Sequence, residues 1–147
     1  MLVRDAMLPT PLLVAPETSV LELCTMVLDC NQTTATVVDS TSHLCGIVSV
    51  QDVFHRILPH YVDMDSRLAG LMHEGYFEEK FAAFKHLTVG EIMTKEVDTL
   101  RPGDAVIEAV GMFYRKGHKT IPVIEDGLYI GSITRRSVLR RVTTESC

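Results

Sequence analysis

The sequence is marked first by what it lacks. No apolar run in its 147 residues approaches the roughly 18 that a bilayer-crossing helix requires, which excludes a transmembrane helix and any membrane partner that depends on one. The opening stretch MLVRDAMLPTPLLVAP carries Asp5, Pro9 and Pro11 where a signal peptide needs unbroken apolar sequence, so a cytoplasmic protein is expected. Its four cysteines, Cys24, Cys30, Cys45 and Cys147, form no C-x-x-C pair. Cys24 falls on an apolar helical stripe and Cys45 in an apolar strand-like run, so free thiols are expected rather than disulfides or a zinc site. None of the six histidines has another four residues away, so no helix offers an H-x-x-x-H face and no metal is expected. The net charge of −5 lacks the basic excess that neutralises phosphates, which argues against a nucleic-acid partner while leaving room for a local basic pocket. G-x-S-x-G, G-x-G-x-x-G and P-loop patterns are all missing, so neither catalysis nor a cofactor is expected.

What is present is enough to build a core. Apolar residues make up 46% of the chain and charged residues 22%, suited to one domain or to two small modules sharing an interior. Aligning the chain with itself shows which. MLVRDAML at 1–8 matches LTVGEIMT at 87–94, with Val3 on Val89, Asp5 on Glu91 and Met7 on Met93, an offset of 86 residues. The same offset pairs Pro16 with Pro102, Val20 with Val106, Val27 with Phe113 and Val37 with Val123. It then drops to 85, placing Gly46 on Gly131, Ser49 on Thr134 and Asp52 on Ser137. One residue is lost between two strands, where length changes are tolerated.

Each copy reads locally in the same order. TPLLVAP and EVDTLRP are short extended segments closed by proline. Val20, Leu23, Cys24, Val27 and Leu28 repeat at helical spacing, as do Val106, Ala109, Val110 and Phe113. Thr18 or Ser19 and, in the second copy, Asp104 are the expected N-caps, and Gly117 is placed to end the second helix. ATVVD and LCGIVSV, then TIPVIEDG and LYIGSIT, read as strands, with Asp126-Gly127 a hairpin turn. QDVFHRIL and RRSVLRRV are second helices. The unit is therefore strand, helix, strand, strand, helix, and each sheet leaves one face to bury against its twin. Between the copies, GYFEEKFAAFKHL spaces Phe77, Phe81 and Phe84 as an aromatic helical stripe, either packed on the module or offered to a second subunit or partner.

VRDAM and VGEIM at the starts of the copies, KTIPVIEDG, and the two segments GIVSVQD and GSITRRS resemble the CBS domain, and their duplication resembles a CBS pair, or Bateman module, of the stand-alone bacterial type. The resemblance implies an α+β fold. Two tandem β-α-β-β-α units would pack sheet to sheet with pseudo-two-fold symmetry, as CBS motif 1 over 1–58, a helical linker over 59–86 and CBS motif 2 over 87–147.

Ser49 and Thr134 each fall where a strand gives way to a helix, and a helix start presents unpaired N–H groups and partial positive charge to an anion. Ser-x-x-Asp is also the pattern of a capping box, and the two uses coexist without conflict. By resemblance, Ser49 contacts phosphate and Asp52 the ribose diol. The same cleft is completed by Ile47 and Gln51, by Val97 and Asp98 near the base, and by Lys119 and Thr120 near the phosphates. Lys119 is otherwise a solvated strand-edge lysine. Asp98 departs from the apolar slot that adenine favours, unless it reads the exocyclic amine. A second site combines Pro11, Leu12, Thr33 and Thr34 with Thr134, Arg135, Arg136 and Ser137. It lacks the diol-binding acid, and its arginines are either solvated or mark a polyphosphate or differently oriented ligand.

The function implied is regulatory. An adenine nucleotide (AMP, ADP or ATP) binds between the motifs and shifts the conformation read by an unidentified regulated partner. A homodimer is expected from the same resemblance. An S-adenosylmethionine binder and a ligand-free dimerisation or protein-interaction module are the alternatives; an enzyme is not expected.

Overall fold

The computed structural model describes residues 1–8, 12–58 and 65–145. The sequence repeat becomes a repeat of structure. Its first half contains β1 (Leu13–Val14), α2 (Val20–Asp29), β2 (Thr34–Val38), β3 (Leu44–Ser49) and α3 (Val50–Ile57), preceded by the short helix α1 (Val3–Ala6). After a 3-10 turn (Ser66–Leu71) and α4 (Tyr76–Phe84), the second half contains α5 (Val89–Ile92), α6 (Val106–Lys116), β4 (Thr120–Glu125), β5 (Leu128–Thr134) and α7 (Arg135–Glu145). In one sheet β1 runs parallel to β2, which pairs antiparallel with β3; β4 and β5 form the other, antiparallel. EVDTLRP, expected as a strand, contributes a single parallel bridge from Leu100 to Val123.

The helices obey their apolar stripes with an angular limit. Val20, Leu23 and Val27 are buried, Cys24 is half-buried, and Leu28 is 78% exposed. At 3.6 residues per turn Leu28 lies about 80° round from Val20, beyond the arc that faces the sheet. In α6, Val106, Ala109 and Phe113 are buried, and Val110, at the edge of the arc, is exposed. Ser19 caps α2, its side chain accepting from Glu22 N at 3.1 Å. Asp104 does not cap α6. Ala105 occupies that position, while Asp104 Oδ2 accepts from Arg101 N at 2.8 Å and closes the preceding turn. Gly117 ends α6 in the left-handed region, and Asp126 and Gly127 both have positive φ, as a tight hairpin turn requires. Bulges after Val37 and after Val123 fall at equivalent positions; just beyond them the hairpin connections differ in length and the repeat offset shifts.

The short leading helices exchange partners. Val3 and Ala6 of α1 pack into the second core with Leu100, Phe113, Ile121 and Ile133; Val89 and Ile92 of α5 pack into the first with Leu23, Val37 and Val48. Matching backbone bonds fix both: Val3 N donates to Asp104 O at 2.8 Å and Val89 N to Thr18 O at 2.7 Å. Asp5 accepts from Leu2 N at 2.8 Å and Glu91 from Thr88 N at 2.7 Å, which explains the acid shared by VRDAM and VGEIM. The chain leaving each helix pairs with the opposite half, Leu8 with Ser132 and Thr94 with Ile47. These crossings need glycine. A Cβ on Gly46 would stand 2.5 Å from Thr94 O, and one on Gly131 2.7 Å from Leu8 O.

Thr36, Pro122 and Ser132 alternate with core residues along their strands and are fully buried on the opposite sheet faces, between the halves. The Tyr129 hydroxyl joins them, 2.7 Å from Ser132 Oγ and hydrogen bonded to Thr36; burial pushes its pKa up. The aromatic stripe of α4 lies on the module. Phe81 and Phe84 pack against the first core, while Phe77 stays partly exposed beside Phe54, with ring centroids 6.3 Å apart.

Candidate functional site: two clefts between the halves

Because the chain crosses between halves, each strand-to-helix turn opens onto residues of the other copy. At the turn from β3 into α3 lies a cavity of about 410 Å³, within the range of small-ligand sites. All eight residues assigned to the first site by sequence line it: Ile47, Ser49, Gln51 and Asp52 from the first half, Val97, Asp98, Lys119 and Thr120 from the second. Thr34, Thr94, Glu96, Gly117 and His118 complete the wall.

Ser49 and Asp52 form a reciprocal capping box. Ser49 N donates to Asp52 Oδ2 at 2.8 Å, Ser49 Oγ reaches the same oxygen at 3.2 Å, and Asp52 N returns a long bond of 3.4 Å to Ser49 Oγ. Both bonds the carboxylate accepts therefore go to Oδ2, and Oδ1 accepts none within the described residues. A carboxylate can thus hold the helix start with one oxygen and present the other to the cleft.

Asp98 is differently placed. Its Oδ2 accepts from Lys116 Nζ at 2.9 Å and pairs with His118 Nε2 at 2.8 Å. These bonds, Lys116 first, hold its carboxyl below the usual carboxylate range. An acid can sit on this wall because its charge is balanced locally, and both of those bonds go to Oδ2.

The equivalent turn from β5 into α7 borders a smaller cavity of about 270 Å³. Thr33, Thr34, Thr134, Arg135, Arg136 and Ser137 line it, joined by Leu8, Gln32, Lys119, Thr120 and Arg140. Leu12 does not; it packs against the first core, drawn in by the apolar surface beneath β1 and β2. Pro11 lies outside the described residues. Ser137 is only 5% exposed, and its hydroxyl is engaged, accepting from Thr134 N and donating to Thr134 O, both at 2.9 Å. Serine here does the capping work of Asp52 without leaving a free acceptor oxygen.

Some of the residues missed by sequence had a signal. Arg140 stands one turn beyond Arg136, on the same helix face. Thr94 and Leu8 hold equivalent repeat positions opposite the two glycines. Glu96 and His118 had none beyond adjacency to Val97 and Lys119. A further depression of about 620 Å³ lies elsewhere, among Arg4, Leu100–Asp104 and the β4–β5 turn, and reaches neither strand-to-helix turn.

The family model described as CBS domain matches residues 3–59 and 89–144, which are the two repeats. The chain is 24% identical, over 95% of its length and 89% of the relative's, to Uncharacterized protein MJ1426 of Methanocaldococcus jannaschii. Among solved structures it is similar to CBSX2 of Arabidopsis thaliana, with a TM-score of 0.80, 22% identity and coverage of 99% and 96% of the two chains. CBSX2 in complex with AMP gives 0.75, 22%, 99% and 98%. The CBS domain pair of protein MJ0100, in complex with 5′-methylthioadenosine and S-adenosylmethionine, gives 0.67, 20%, 95% and 98%. At these identities the likeness speaks for the fold. Together with two family matches falling on both sequence repeats, it establishes that this chain belongs to the CBS domain family, as a pair of CBS motifs.

Proposed function

We propose that this CBS pair is a non-catalytic regulatory module that senses an adenine nucleotide in the first cleft. The observation that carries the reading is the meeting, in one cavity, of Asp52 with an unoccupied carboxylate oxygen and of Lys119 from the other half. A carboxylate oxygen suits a ribose diol, and an unpaired ammonium suits a phosphate. Adenosyl compounds held by CBSX2 and the MJ0100 pair support this ligand class. AMP, ADP and ATP are placed ahead of S-adenosylmethionine because Lys119, which forms no ion pair among the described residues, offers a cation to a phosphate, a group that S-adenosylmethionine lacks. Ligand touching both halves favours one relative arrangement of them, and a regulated partner reads that arrangement.

A ligand-free interaction module is the competing reading, favoured by a capping box that is complete without any ligand. A thermal-shift panel separates the two. At 100 times Kd a ligand of the folded state adds about 2.7 kcal/mol, several degrees for a domain of this size. No shift with any adenosyl compound at millimolar concentration would overturn the nucleotide reading. The exposed apolar side chains Ile107 and Tyr114 on α6 and Leu139 on α7 support a homodimer as the working form. Sedimentation should then give twice the chain mass, and Tyr114→Glu should return it to the monomer.

A further inference from the structure

The two clefts are not separate: Thr34, Lys119 and Thr120 line both. Across that shared wall the charge reverses. The first cleft carries Asp52, Glu96 and Asp98, whereas the second carries Arg135, Arg136 and Arg140 with Lys119 and no carboxylate. Arg136, Arg140 and Lys119 are exposed, and none forms an ion pair among the described residues, although the chain as a whole is acidic. Like charges gathered without counter-ions repel one another, and an anion laid among them relieves that cost.

We infer that one ligand straddles the wall. Its nucleoside lies in the acidic cleft, and its phosphate chain crosses Lys119 and Thr120 into the arginine cleft. The ligand class is then a nucleoside polyphosphate rather than a monophosphate. Asp52 and Glu96 disfavour phosphates on the nucleoside side, where Asp98 is balanced by Lys116 and His118, while Arg135, Arg136 and Arg140 accept them on the other. This rests on the nucleotide reading of the first cleft and extends it by assigning the second cleft to the same molecule.

The test is calorimetric titration with adenosine, AMP, ATP and inorganic tripolyphosphate, using the whole chain and the double variant R136Q/R140Q, both checked by circular dichroism. ATP is expected to bind about tenfold or more tighter than AMP, the scale of one added charge-assisted contact, and the double variant should bring that ratio close to one. Adenosine and tripolyphosphate should bind together while each competes with ATP. Equal affinity for AMP and ATP, or a double variant that leaves their ratio unchanged, would overturn the straddling ligand and leave the first-cleft reading standing. Absence of binding by adenosine, AMP and ATP alike would overturn both.

Discussion

The two clefts grow from equivalent turns and end with opposite chemistry. Ser49 and Thr134 both start a helix, and Asp52 and Ser137 both return a bond to the backbone N–H three residues earlier. Gly46 and Gly131 both let the crossing chain pass. Yet Gln51 and His55 of α3 are answered by Arg136 and Arg140 of α7, and the acid of one turn by a buried hydroxyl in the other. What the repeat retains is what the fold needs: caps, glycines and core positions. What it varies is the charge facing the clefts.

Substitutions at equivalent positions test this division. The largest effect on the fold should come from the glycines. Gly46→Ala places a methyl group against the carbonyl of Thr94 and should cost about 2–3 kcal/mol in urea unfolding, with Gly131→Ala, where the approach is less close, costing less. Values within 0.5 kcal/mol of wild type for both would show that the crossings are not tightly packed. Asp52→Asn retains an oxygen to accept from Ser49 N but loses the charge, so it should weaken nucleotide binding by about 1–3 kcal/mol with a smaller change in stability. Ser137→Ala should do the reverse, costing about 1 kcal/mol of stability by stranding Thr134 N and leaving affinity unchanged.

The smallest effect belongs to Asp98→Asn. The lowered pKa of Asp98 means that its stabilising pairing with Lys116 and His118 is in place above the ordinary carboxylate value near 4 and is lost as pH falls through the lower folded value. Any stability gap between wild type and Asp98→Asn should therefore narrow in acid, as read by thermal unfolding from pH 6 to pH 3. A gap that widened in acid would contradict the assigned pairing.

Much of this was legible in the sequence because it is local and doubled. The helix stripes, the Asp126-Gly127 turn and the residues around Ser49 are fixed by spacing, and that spacing occurs twice. The exchange of α1 and α5 was not legible, since an apolar stripe shows that a helix is buried but not in which of two similar cores. The same limit misplaced Leu12, whose apolar character is satisfied by the first core. Asp104 was misassigned because its side chain has two nearby backbone donors to choose from, and the turn at Arg101 takes it. Arg140 was missed because the motif ends before it, although the helix brings it alongside Arg136.

The most direct test of the account is a calorimetric titration of AMP into wild type, Asp52→Asn and Ser137→Ala. Wild type should bind, Asp52→Asn should bind about tenfold or more weakly, and Ser137→Ala should keep wild-type affinity. Equal losses in both variants, or no binding by wild type at millimolar AMP, would contradict the account.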